Sequence, residues 1–192
     1  MKKLIPVIFF LFLAYPAGVI FAQTLAIKNN LAADGFLSPN IALELKLASR
    51  VTLEVNSHYY PFSSSQSTER GKYWLVQPEL RLWRCEPFSG HFWGVHFMVG
   101  EYNIGDKSLP FGLYRGTKDA RYEGSILGAG FSYGYQWVLS PRWGIEAEIG
   151  GGYVRAKYER YRCMHCGEKT GEGNKHYLGP TKVALSVVYL LK

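Results

Sequence analysis

The sequence predicts an all-β chain, an eight-stranded antiparallel up-and-down transmembrane β-barrel with short periplasmic turns and longer outer loops. Three observations predict it. Aromatic residues make up 16% of the chain and glycines number 21, a bias toward strands and tight turns. Eight segments alternate apolar and polar residues with the period of two that a half-buried strand requires. The connections between them alternate short and long, the asymmetry of an outer-membrane barrel.

The chain begins Met1-Lys2-Lys3, followed by an apolar run from Leu4 to Ala22. Two lysines, an apolar stretch and a small residue before Gln23 predict a signal peptide over 1–22, removed on export. Pro6 and Pro16 would interrupt the competing transmembrane helix. No later segment has eighteen consecutive apolar residues, so no second membrane helix is predicted. Residues 23–192 have the length of one domain. The net charge of +7 is spread along the chain, which favours acidic lipid headgroups or polysaccharide over nucleic acid as the counterpart.

The first strand is expected from Thr24 to Leu31. The second, Pro39 to Leu47, sets Ile41, Leu43, Leu45 and Leu47 against Ala42, Glu44 and Lys46. The third, Val51 to Tyr60, sets Val51, Leu53 and Val55 against Thr52, Glu54, Asn56 and His58. The fourth, Tyr73 to Trp83, sets Trp74, Val76, Leu80 and Leu82 against Gln77, Glu79 and Arg81. In the fifth, His91 to Tyr102, Trp93, Val95, Phe97 and Val99 oppose Gly94, His96, Met98 and Gly100. The sixth, Arg121 to Val138, sets Leu127, Phe131, Tyr133 and Trp137 against Gly128, Gly130, Ser132 and Gly134. The seventh, Trp143 to Tyr158, sets Ile145, Ala147 and Ile149 against Glu146 and Glu148. The eighth, Tyr177 to Leu191, sets Val183, Leu185 and Val187 against Lys182, Ala184 and Ser186. A helical period would scatter these charges around a cylinder.

Alternation alone does not say which face is outside, because a soluble barrel turns its apolar face inward and a membrane barrel turns it to lipid. Aromatics at the segment ends decide for the membrane. Trp83, Trp93, Trp137 and Trp143 flank the short turns. Tyr59, Tyr60, Tyr73, Trp74, Tyr102, Tyr122, Tyr158 and Tyr177 flank the long loops, as two interfacial girdles would. The polar face then lies in the lumen, where Glu44, Lys46, Glu54, Glu79, Arg81, Glu146, Glu148 and Lys182 are expected to form a charge network. An eight-stranded interior is filled by such side chains, which argues against a porin.

Several stretches in order carry a family likeness: Trp74-Leu75-Val76-Gln77-Pro78-Glu79, Gly90-His91-Phe92, Ser132-Tyr133-Gly134-Tyr135-Gln136-Trp137, Glu146-Ala147-Glu148-Ile149-Gly150, Cys163-x-x-Cys166-Gly167 and Gly179-Pro180-Thr181-Lys182. Over nearly the whole exported part, the chain resembles an uncharacterised family of small outer-membrane β-barrel proteins from Bacteroidetes. The resemblance implies an exported barrel associated with fimbrial or other cell-envelope systems. It supplies no catalytic residue.

The sharpest local motif is Cys163-Met164-His165-Cys166-Gly167. In an oxidising compartment the two cysteines are read as a loop-stiffening disulfide. The alternative is half of a zinc site, with His165 and His176 as further ligands. Otherwise no cofactor is expected. Cys85, beside a short turn at the other end, is read as a buried or interfacial free thiol. Glu146 and Glu148 share a strand face and could do acid–base work, but lumen ion pairing is the simpler role. His58 and His96 face the same way and are read as hydrogen-bonded filler. No phosphate loop or His-Glu-x-x-His is present.

The expected function is that of a structural or interaction protein of the outer membrane. Lipid holds the barrel, and the loops Asn103 to Ala120 and Glu159 to His176 meet a surface protein or glycan through Tyr114, Arg115, Lys118, Arg160, Tyr161, Arg162, Lys169 and Lys175. The alternatives are a lipid-modifying outer-membrane enzyme, which needs a Ser/His/acid cluster at one rim, and a soluble periplasmic ligand-binding barrel.

Overall fold

A computed structural model describes residues 25–36, 38–60, 70–105, 121–161 and 169–191. The predicted signal peptide lies outside these residues. Eight strands follow in chain order: β1 (Leu25–Asn30), β2 (Asn40–Ala48), β3 (Val51–Tyr60), β4 (Arg70–Trp83), β5 (Gly90–Gly105), β6 (Arg121–Val138), β7 (Trp143–Tyr161) and β8 (Lys169–Leu191). Each pairs antiparallel with the next, and β8 returns to β1, so the eight form a closed up-and-down ring. One short helix, α1 (Leu31–Gly35), follows β1, with the Asn30 side chain accepting from the backbone N–H of Ala32 and Ala33.

The wall is uneven in height. β1 pairs with β8 only over Ser186 to Leu191, whereas β7 and β8 stay paired from Trp143–Tyr189 to Tyr161–Lys169. Most of the loop expected from Glu159 to His176 is therefore strand. A run containing Gly171 and Gly173 reads as loop by composition, but here the backbone ladder to β7 orders it. β8 carries a second surprise. The register skips Thr181 opposite Gly150 and Gly151, so Thr181 and Lys182 both turn inward and the parity of β8 reverses above them.

The two faces are distributed opposite to those of a soluble barrel. Leu43 is 48% exposed and Phe131 74%, while Glu44 and Arg81 are fully buried. Along β7 the outward residues are Trp143, Ile145, Ala147, Ile149, Gly151 and Tyr153; the inward set includes Glu146, Glu148 and Val154.

Not every strand-end aromatic joins the outward face. Trp93, Trp137 and Trp143 do at the short-turn end, as do Tyr59 and Trp74 at the other. Trp83 is buried, because it shares its parity with Arg81. It donates from Nε1 to Thr52 Oγ1 at 2.8 Å and packs on Phe88 and Phe92. Phe88, in the turn after β4, has a left-handed φ of 67° and is held against Ala26 and Val188, stoppering the short-turn end. At the long-connection end Tyr102 is buried among Tyr73, Tyr122 and Tyr158, and Tyr60 stacks on Tyr73. Above them the ring opens into a cavity of about 1000 Å³ walled in part by Tyr73, Tyr102, Gly124, Tyr158 and Gly173. Of the two settings expected for the Cys85 thiol, burial does not hold: it is free and exposed, because it lies in the turn beyond the last residue of β4.

Large inward residues of β5 face glycines of β6 across the ladder: Phe92 opposite Gly134, His96 opposite Gly130, Met98 opposite Gly128 and Tyr102 opposite Gly124. A Cβ placed on Gly130 would lie 2.7 Å from His96 Nε2. Each glycine thus vacates the space that its partner fills, and this is how a narrow ring holds bulky side chains.

A candidate functional site in the charged interior

The inward face of the lower ring gathers eight ionisable side chains. β1 supplies Lys28, β2 Glu44, β3 Glu54, β4 Glu79 and Arg81, β7 Glu146 and Glu148, and β8 Lys182, all of them buried. Arg81 is the hub. Its guanidinium lies 3.0 Å from Glu44, 2.8 Å from Glu54, 2.6 Å from Glu79, 3.1 Å from Glu146 and 2.6 Å from Glu148. The face of Phe92 covers it, with Cζ 4.4 Å from the ring centroid. A planar fork with five donors suits this convergence in a way that a lysine would not.

The two lysines take flanking positions. Lys182 Nζ lies 2.9 Å from Glu54, 2.8 Å from Glu79 and 3.1 Å from Glu148. Lys28 Nζ lies 2.6 Å from Glu146 and 3.1 Å from Glu54, and also pairs with Glu44. Thr52 donates to Glu44. His96 is buried above the network, with Nε2 2.8 Å from Thr181 Oγ1 and Nδ1 3.6 Å from Glu79. Five carboxylates face three basic side chains, so full ionisation would leave this buried interior with two negative charges in excess. Glu148 Oε1 is buried with no hydrogen-bond partner among the described residues.

Seven of the eight residues expected in the lumen network meet here. Lys46 does not: it is half-buried near the β2–β3 turn, and no carboxylate pairs with it among the described residues. It lies opposite Thr52 at the last regular pair of the ladder, just before the register shift between Lys46 and Ala48, beside Ser49 and Arg50 of the turn. Lys28 takes the place foreseen for Lys46. Its signal was the parity of β1, where Ala26, Lys28 and Asn30 alternate with Leu25 and Ile27.

The oxygens of Glu54, Glu79 and Glu148 approach within 4.8 Å of one another, as metal ligands do. The ammonium of Lys182 already bonds all three, occupying the place that a cation would take. Cys163, His165 and Cys166 lie outside the described residues. His176 faces outward on β8, its Nδ1 hydrogen-bonded to the Tyr153 hydroxyl.

One hydroxyl–imidazole pair lies at the long-connection rim. Ser38 Oγ is 3.1 Å from His58 Nδ1 and accepts from Tyr73 at 2.5 Å. The nearby acid, Asp34, accepts from Asn40 Nδ2 at 2.9 Å, and Asn40 also bonds Asn30. This polar clasp holds α1 and the start of β2 to β3 and β4.

The charged interior, the stoppered short-turn end and the apolar exterior are built from strands along the described chain, all of which falls within the family match. The chain belongs to the family described as "Protein of unknown function (DUF3575)", which matches residues 7–191. No curated protein matches it.

Proposed function

We propose that this DUF3575 protein is a transmembrane barrel of the outer membrane, exported by its signal peptide, with short turns in the periplasm and long connections outside. It serves as a structural or interaction protein of the cell envelope. One observation carries the reading: the outward face is apolar while ion pairs fill the inside. A ring of this kind in water would expose Leu43, Leu80, Val95, Phe97, Phe131 and Ile149 on one surface, and contiguous apolar surface on that scale marks an interface with lipid or another molecule.

The dimensions support lipid. Trp143 and Tyr153 bound the apolar stretch of β7, ten residues apart. At about 3.3 Å per residue that is roughly 33 Å of strand. Tilted by about 40°, it spans roughly 25 Å, the height of a barrel's apolar band. Trp93, Trp137 and Trp143 stand at one boundary and Tyr59, Trp74 and Tyr153 at the other. The likeness to small Bacteroidetes outer-membrane barrels points the same way.

The filled interior limits what the barrel does. Arg81 and its carboxylates close the bore, and Trp83 and Phe88 close the short-turn end, so a diffusion pore is a poor fit. Recognition falls to the long connections and the end of β7 beside them, where Tyr114, Arg115 and Lys118 in the former and Arg160 in the latter offer basic and aromatic contacts for a surface protein or glycan. The test is flotation of the full chain with outer-membrane vesicles after a high-pH wash. The expected result is co-flotation, with faster migration of the unheated protein on a denaturing gel. A washed-off, soluble chain would overturn the reading.

The lipid-modifying alternative gains one observation, the contact between Ser38 and His58. Asp34 is bonded to Asn40, so the three groups do not line up as a relay. We expect no labelling of Ser38 by a fluorophosphonate; labelling abolished by Ser38→Ala would establish a nucleophile there.

A further inference from the structure

The outward wall changes character in three steps on β6, β7 and β8. The row Ala129–Tyr153–Leu178 is apolar. The next row up is Leu127–Arg155–His176, and the next Ser125–Lys157–Asn174. Arg155 and Lys157 are both exposed on this face. Neither pairs with a carboxylate among the described residues, whereas Glu159 and Glu172 farther up are engaged by Lys169. His176, exposed and opposite Arg155 in the ladder, is fixed by Tyr153 through Nδ1. Unpaired cations stacked directly above an apolar wall have the polarity of a lipid read from tail to headgroup.

The wall below has a matching shape. Gly151 faces outward between Ile149 and Tyr153, beside Phe131 and Pro180. Here a Cβ would meet nothing closer than Gly179 O at 3.7 Å, unlike Gly124, Gly128, Gly130 and Gly134 of β6, whose space is taken by β5 side chains. Packing does not require a glycine at this position. Its effect is a trough among large side chains, below the two cations.

We propose that Arg155 and Lys157, with His176, bind the phosphate of an anionic lipid of the outer leaflet, one acyl chain lying in the trough at Gly151. A guanidinium and an ammonium on adjacent rows suit a phosphate, one as a bidentate donor and the other as a point charge. This rests on the membrane reading above.

The test is native mass spectrometry of the detergent-solubilised full chain, titrated with phosphatidylglycerol, phosphatidylcholine and inorganic phosphate. The wild type is expected to retain phosphatidylglycerol over phosphatidylcholine. Arg155→Gln with Lys157→Gln should weaken phosphatidylglycerol binding about 30-fold, and the charge-conserving pair Arg155→Lys with Lys157→Arg should keep most of it. Gly151→Leu should weaken both lipids, because it fills the trough without touching a charge. Equal retention of the two lipids, displacement by inorganic phosphate, or unchanged binding in the double glutamine variant and in Gly151→Leu would each overturn the proposal. A chain that stays in solution without detergent would instead overturn the membrane reading.

Discussion

Replacing Arg81 with methionine tests the interior most sharply. The guanidinium is fully buried and contacts five carboxylates at 2.6 to 3.1 Å. Methionine keeps the stem and removes the charge. Two lysines would then face five carboxylates, where the wild type has three basic side chains against the same five. Removing one partner of a buried ion pair costs about 3–5 kcal/mol; with five carboxylates losing the shared guanidinium and left to the two lysines alone, the upper end, about 5 kcal/mol, is expected. Total stabilities are only about 5–15 kcal/mol, so the variant should be severely weakened. A second substitution separates lost charge balance from lost packing. Arg81→Met combined with Glu146→Gln and Glu148→Gln removes two of the uncompensated carboxylates and should regain at least half of the loss, since neutralised networks of similar volume are tolerated. The assay is urea unfolding in lipid vesicles followed by tryptophan fluorescence, with folded yield as the readout if the single variant does not assemble. An Arg81→Met variant within about 1 kcal/mol of the wild type, or a triple variant no better than the single, would refute the reasoning.

Other outcomes follow from the packing and the rim. Gly130→Ala should destabilise by about 1–3 kcal/mol through overpacking, since its Cβ falls 2.7 Å from His96 Nε2 and 2.5 Å from Gly151 O; His96→Ala in the same chain should recover part of this in the same unfolding assay. Phe88→Ala should cost about 3 kcal/mol by emptying the stopper against Trp83, Ala26 and Val188, seen as a lower urea midpoint. Outside the apolar band, hydrogen bonds from Lys169 and then Tyr161 hold the Glu159 carboxyl below its ordinary value of 4.5. A depressed carboxylate stabilises above its unfolded value and loses that contribution as pH falls through the folded one. Amide protection at the Tyr161–Lys169 end of the hairpin, corrected for intrinsic exchange, should therefore fall as pH drops below 4.5, and Glu159→Gln should abolish that dependence.

The strands and their faces were legible because one parity rule governs most of the wall. Val51–Tyr60, Arg121–Val138 and the inward positions of Glu44, Glu79, Arg81, Glu146 and Glu148 all follow from period two. The same rule, applied through Trp83 and Tyr102, would have turned those rings inward; their place at a strand end suggested a girdle instead. What sequence could not show was long-range register. The skip at Thr181 reverses the faces of upper β8 through its ladder to β7; Gly179-Pro180 beside it are residues that accompany bulges, but the side on which the reversed faces fall is set by register. Phe88 was illegible for a related reason: its left-handed conformation is held by Ala26 and Val188, distant in the chain. The extension of β7 and β8 past Glu159 likewise depends on mutual backbone pairing, and the glycines there oppose it locally.

The central claim is that the apolar face meets lipid, and adjacent positions on β5 test it directly. Phe97 is 59% exposed on the outward face and Met98 5% exposed on the inward one. In a chain with Cys85, Cys163 and Cys166 replaced by serine, cysteines at 97 and 98 are labelled in turn with an environment-sensitive fluorophore and reconstituted into vesicles carrying brominated acyl chains. The account predicts strong quenching by the bromolipid at 97 and little at 98. Equal quenching at the two positions, or a label at 97 that stays accessible to aqueous iodide, would contradict it.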